Sequence, residues 1–148
     1  MFASPTLIHT AYPAGGPTLE LRSLLQSMPK VDLHRHLEGS LRLETLASIA
    51  LEHGVNLPSY DIDTLRPYVQ VTMEYEPDFV RFLEKFKLLR RFYTSREAIE
   101  RLAWEAVADA AADNVKYLEL RFNPVALARE GRFSYSDVME WVWNAASR

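Results

Sequence analysis

The sequence predicts an α/β fold, and three segments carry that prediction. Val31 and Leu33 alternate along a short run that reaches His36 and breaks at Gly39, the pattern of a strand followed by a turn. A second run, Val115 to Phe122, places Tyr117, Glu119 and Arg121 on one face and Leu118, Leu120 and Phe122 on the other. Helical patterns lie between these runs, the longest from Arg96 to about Asp113, and strands alternating with helices define the α/β class.

Residues 1–18 mix Pro5, Pro13, Pro17, Gly15 and Gly16 with no sustained period and read as a flexible leader, in which His9 is solvated. Residues 19–148 form the remaining unit. Leu21, Leu24, Leu25 and Met28 have helical spacing that ends at Pro29, giving a short structural helix. After the first strand a helix runs from Leu43 to His53, burying Leu43, Leu46, Ala47 and Ala50 and stopping at Gly54. His53 falls in its last turn, where positive charge is favoured, and is not read as a ligand. From Asn56 to Glu76 the chain is divided by Pro58 and Pro67 and reads as a long irregular crossing. Pro77 opens a helix whose stripe is Phe79, Phe82, Leu83 and Phe86, which periodicity alone reads as core packing. Thr94 and Glu97 form a capping box for the next helix, whose apolar face is Ile99, Leu102, Ala103, Ala106, Val107 and Ala110. Asn114 suits a left-handed position at its end. Glu119 and Arg121 are expected to pair with neighbours as interior charges, with direct substrate contact as the alternative, and Pro124 breaks the second strand.

His34 and His36 lie two apart, so an extended backbone turns both to one face while Arg35 points away. Imidazole nitrogens suit zinc, and a catalytic zinc takes three protein ligands plus a water. Two such ligands stand here, on a strand whose end opens into a loop, where barrel enzymes keep their chemistry. The plainer alternative is a pair of packed or solvated histidines.

The stretch Met28-Pro29-Lys30-Val31-Asp32-Leu33-His34-Arg35-His36-Leu37-Glu38-Gly39-Ser40-Leu41-Arg42 closely resembles the first strand of the adenosine and adenine deaminase family. Arg96-Glu97-Ala98-Ile99 through Asn114-Val115-Lys116-Tyr117-Leu118-Glu119-Leu120-Arg121-Phe122-Asn123-Pro124 is similar to that family's next helix and second strand. The resemblance implies the N-terminal portion of a (β/α)8 TIM-type barrel, its first two strands with their helices. A whole barrel needs about 250 residues, so the barrel is incomplete in these 148 residues. The pattern from Trp141 to Arg148 stops without a helix stop signal and is read as a truncation.

The resemblance further implies hydrolytic deamination of a purine on one Zn2+, with His34 and His36 as metal ligands. His36 and Glu38 would touch the substrate, and the helix bearing Phe79, Phe82, Leu83 and Phe86 would cover the mouth of the site and line the purine pocket. The acid–base glutamate and the later metal ligands and histidine belong to later strands, so no catalytic residue is expected within this chain. Many adenosine deaminases have aspartate where Glu38 stands, whereas relatives acting on adenine or other purine derivatives often have glutamate. The simpler role for Glu38 is a loop carboxylate paired with Arg42.

Composition is 48% hydrophobic and 25% charged with net charge −3, as in a soluble enzyme, and no basic surface suggests nucleic acid. The absence of cysteine excludes a disulfide framework or a thiolate metal site. No apolar run approaches the ~20 residues of a membrane span, and without a signal-like start the default location is cytoplasmic. The function expected is adenosine to inosine plus ammonia, the partner being a small purine nucleoside or base. Deamination of adenine or another aminopurine derivative is the alternative. A distant amidohydrolase cleaving a cyclic amide is disfavoured by the Arg96–Pro124 match, and a truncated non-catalytic binding module is the reading outside enzymology. The 148 residues alone are expected to be inactive, with Leu118, Leu120 and Phe122 left without neighbours.

Overall fold

Strands β1 (Lys30–His36) and β2 (Val115–Arg121) pair in parallel. The computed structural model describes residues 18–72 and 78–148. The leader expected over 1–18 thus lies outside the described residues except for Thr18, and so does Pro77. Val31 stands opposite Tyr117, Asp32 opposite Leu118, Arg35 opposite Leu120 and His36 opposite Arg121. Between Asp32 and Arg35 the first strand therefore advances three residues while the second advances two, which is a β-bulge. His34 occupies the bulge with φ 65°. One face now collects Val31, Leu33, His34 and His36 with Tyr117 and Arg121, all exposed. The other carries Asp32 and Arg35, joined by a 2.5 Å ion pair, with Leu118 and Leu120.

Seven helices accompany the strands among the described residues. α1 (Leu19–Ser27) is capped by Thr18, and its leucines at 21, 24 and 25 are exposed. A 3-10 turn at Leu37–Gly39 leads into α2 (Leu43–His53), which ends at Gly54 with φ 68°. Besides Leu43, Leu46 and Ala50 this helix buries Thr45 and Ile49, while Ala47 is only half-buried. The crossing expected to be irregular contains a helix, α3 (Ile62–Val69). Asp61 caps it by accepting from the Thr64 amide at 2.9 Å, and Leu65 and Val69, one turn apart, are buried. Pro67 lies inside α3 and was the reason for expecting none. In so short a helix it removes a single ladder bond, and packing of the buried pair overrides it.

α4 (Phe79–Arg90) is capped by Asp78, which accepts from the amides of Val80 and Arg81. α5 (Arg96–Ala112) starts one residue later than the capping box requires: Ser95 Oγ accepts from the Ala98 amide at 3.1 Å. Thr94 Oγ1 is buried with no hydrogen-bond partner among the described residues. Asn114 takes the left-handed conformation, φ 60°, before β2. α6 (Pro124–Gly131) and α7 (Tyr135–Ala146) follow, capped by Asn123 and Ser134. The core sits on α5, where Ile99, Leu102, Ala103 and Ala106 meet Leu46 and Ile49 of α2, Leu127 of α6 and Val138 and Val142 of α7. Phe92 and Tyr93 complete it, wholly buried. Leu120 and Phe122 are not without neighbours, since both pack against the core, and with Leu118 they line a cavity of about 540 Å³ that Met139, Val142 and Trp143 of α7 also line.

Arg42 ties the start of α2 to α5 through two nitrogens on Asp109, Nε at 3.0 Å and Nη2 at 2.5 Å. That hydrogen bonding holds the Asp109 carboxyl below its ordinary value. A carboxyl depressed in the folded state contributes stability above its unfolded value, about 3.9, and loses it as pH falls through the folded value. The stability difference between the parent chain and Arg42→Gln, measured by urea unfolding, should shrink from about pH 6 to about pH 3; a constant difference contradicts the pairing. Ser95→Ala should cost about 1 kcal/mol, whereas Thr94→Ala should lack this capping loss. A larger loss for Thr94→Ala would restore the capping box.

Candidate active site

The site grows from the end of β1. His34 and His36 share a face, which the bulge makes the exposed one, and their ring centroids lie 5.1 Å apart. The edge of His36 meets Phe86 at 5.6 Å between centroids, and Phe86 meets Phe82 at 5.2 Å, so two aromatic rings of α4 stand beside the second histidine. From β2, Arg121 Nη1 lies 2.6 Å from His34 Nδ1 and 2.7 Å from its Nε2. Arg121 therefore packs on an expected metal ligand instead of pairing with a carboxylate, and Glu119 makes no ion pair among the described residues. Neither residue makes the expected interior ion pair among the described residues, where Arg121 lies instead on the imidazole opposite.

Glu38 is not a loop carboxylate paired with Arg42. The 3-10 turn swings it inward, where it is 1% exposed, while Arg42 is engaged on Asp109. Glu38 Oε1 accepts the backbone N–H of Asn123 at 3.1 Å, and Arg90 Nε lies 3.7 Å from the same oxygen. Oε2 has no hydrogen-bond partner among the described residues. Tyr93 is close by: burial pushes its phenol well above the ordinary value, the Glu38 carboxylate pushes it further, and Arg90 opposes. A cavity of about 290 Å³ opens here, lined by His36, Glu38, Arg90, Arg121, Phe122 and Asn123 with Pro124 at its edge.

The four-residue stripe on α4 divides. Phe82 and Phe86 line a second cavity of about 380 Å³ together with Gly39, Val69, Lys85 and Leu89. Phe79, 73% exposed, and Leu83 face solvent. The buried face of α4 is set by Leu89 and Lys85, whose ammonium donates to the Pro67 carbonyl of α3 at 2.5 Å, and this rotates Phe79 and Leu83 outward. Arg90 and Asn123 line the cavity with His36 and Glu38, and Tyr93 lies close to Glu38 and Arg90, none of which local sequence pattern singles out. The nearest signal is the run Leu88-Leu89-Arg90-Arg91-Phe92-Tyr93, in which arginines interrupt an otherwise apolar series.

Two neighbouring imidazoles on an exposed face suit zinc in kind and supply two donors. No group of three or more histidines, cysteines or carboxylates occurs among the described residues, so the set matches half of a four-coordinate site.

A sequence model of the family described as Adenosine deaminase matches residues 29–148. The chain is 43% identical over 116 residues to adenosine deaminase of Klebsiella pneumoniae, covering 78% of this chain and 34% of that one. Against adenosine deaminase of Proteus mirabilis it is 40% identical over 113 residues, 76% of this chain and 34% of the relative. It thus spans about a third of the length of the curated relatives it matches. Among solved structures, a zinc-bound amidohydrolase from Burkholderia ambifaria superposes with TM-score 0.72 at 24% identity over 92% of this chain and 36% of that one, a likeness of fold alone. Adenine deaminase from Arthrobacter aurescens superposes with TM-score 0.68 at 26% identity, covering 80% and 35%. The ADAL–IMP complex gives 0.63 at 30%, covering 84% and 35%. The two strands and their helices are part of a (β/α)8 TIM-type barrel, and the chain belongs to the adenosine deaminase family.

Proposed function

We propose that this chain is the amino-terminal part of a zinc-dependent purine deaminase that converts adenosine and water to inosine and ammonia. The observation that carries the reading is the convergence of His34, His36 and buried Glu38 beside Phe82 and Phe86 of α4. His34 and His36 would hold the zinc, which when bound makes water nucleophilic near neutral pH. Glu38 receives a hydrogen-bond donor of the substrate at Oε2, the oxygen that has no hydrogen-bond partner among the described residues. Phe82 and Phe86 cover the purine and keep bulk water from the reacting carbon, while Phe79 and Leu83 stand at the mouth. The carboxylate that moves the proton to the ring nitrogen, and the remaining metal ligands, belong to strands beyond these two. These 148 residues alone have no deaminase activity in this reading.

Glutamate at position 38 supports a second reading, with adenine or another aminopurine derivative as substrate. An adenine deaminase is among the structural neighbours.

The protein expressed from its complete gene should release ammonia from adenosine, with adenine and other aminopurines as comparison substrates in the same assay. No release from any purine would overturn the assignment. In that protein His34→Ala and His36→Ala should each lose bound zinc by elemental analysis. Zinc retained at the parent level in either variant would remove that histidine from the ligand set.

A further inference from the structure

We infer that Arg90 is a positioning residue that fixes the direction of the Glu38 carboxylate, so that Oε1 belongs to the protein and Oε2 to the substrate. The inference rests on the purine deaminase reading and deepens it by naming what sets the acceptor of the site. A carboxylate has about four acceptor positions on its two oxygens. Both contacts that the protein makes with Glu38 fall on one of them: the Asn123 amide at 3.1 Å and Arg90 Nε at 3.7 Å address Oε1. The amide holds Oε1 by a hydrogen bond, and Arg90 Nε, which makes no hydrogen bond of its own among the described residues, acts on the same oxygen through its charge. Oε2 has no hydrogen-bond partner among the described residues, in a side chain that is 1% exposed and lines the 290 Å³ cavity.

The other cations near the strand end are engaged elsewhere. Arg42 is held by Asp109, Arg121 lies on His34, and Arg35 is paired with Asp32. The Tyr93 hydroxyl makes no hydrogen bond to Oε2, so it does not compete for that position. Arg90 is also the last residue of α4, the helix that carries Phe82 and Phe86. One rigid helix therefore sets both the apolar wall and the direction of the polar acceptor. The acceptor so fixed suits a neutral donor, either a hydroxyl of a sugar or an N–H of a base.

The test uses the protein expressed from its complete gene and the purine it deaminates best. Arg90→Met should raise KM about tenfold and leave kcat within about threefold. In a Glu38→Gln background the same change should raise KM by less than about twofold, because the group it positions has gone. A residue with a merely structural role would act equally in both backgrounds. An unchanged KM in Arg90→Met, or effects of the two changes that multiply, overturns the inference. If Arg90→Met fails to fold, folding of the Glu38→Gln/Arg90→Met double variant supports the pairing, since the orphaned charge is removed with its partner. Failure of both variants to fold overturns it. Parent protein inactive on every purine defeats the deaminase reading itself, whereas an active parent indifferent to Arg90 defeats this inference alone.

Discussion

Taking an ionised carboxylate out of water costs several kcal/mol unless opposite charge and hydrogen bonds meet it, and the burial of Glu38 therefore constrains three parts of the chain together. The turn after β1 must bring the side chain in, the C-terminal end of α4 must present Arg90, and the junction after β2 must present the Asn123 amide. Asn123 serves twice, because its own carboxamide oxygen accepts from Ala126 at 3.0 Å and starts α6. The mouth of the barrel is thus braced by one charge. Its packing is secured separately, by the leucines and alanines of α5 against α2 and α7.

A second constraint acts one step earlier in the chain. In an unbroken strand His34 and His36 would lie on the face of Asp32, turned to the helices, and Val31 and Leu33 on the opposite one. The extra residue at His34 reverses that parity, so both imidazoles join Val31 and Leu33 on the face shared with Tyr117 and Arg121. The reversal costs about 1–2 kcal/mol, the usual penalty of a left-handed conformation with a Cβ. Histidine bears that conformation better than most side chains.

The strands, α2 and α5 were legible because each repeats its period over several residues and ends at a residue with a definite backbone preference, Gly54 or Asn114. α3 was not, since two buried residues one turn apart make a weak pattern and Pro67 argues against a helix. The cap of α5 was misplaced by one residue because Thr94 and Ser95 are chemically equivalent capping groups, and only the packing of Phe92 and Tyr93 decides between them. The histidine pair and Glu38 could be read from spacing and resemblance. Their supporters Arg90, Tyr93 and Asn123 could not, because nothing local distinguishes Arg90 from Arg91 before the helix has its orientation. The stripe on α4 shows the same limit: its period is right, and among the described residues Phe82 and Phe86 line the cavity beside Gly39 while Phe79 and Leu83 do not, a division that periodicity does not foretell.

The parallel pairing of β1 with β2 has a consequence for the order in which the molecule assembles. Lys30 meets Val115, and its amide donates to the Asn114 carbonyl at 3.0 Å, so four helices must be spanned before the first rung of the sheet can form. Closing so long a segment exacts its entropy before any contact returns it, and non-local pairing of this kind is slow beside the sub-microsecond relaxation of capped helices. His34 and His36 are neighbours in the nascent chain, but Arg121 and Asn123 reach them only when the strands register. The cavity is therefore completed only after the strands have paired, a later event than the formation of the helices that frame it. A substitution anywhere in α2 to α5 that delays registration would postpone the appearance of the site without touching a single group that lines it.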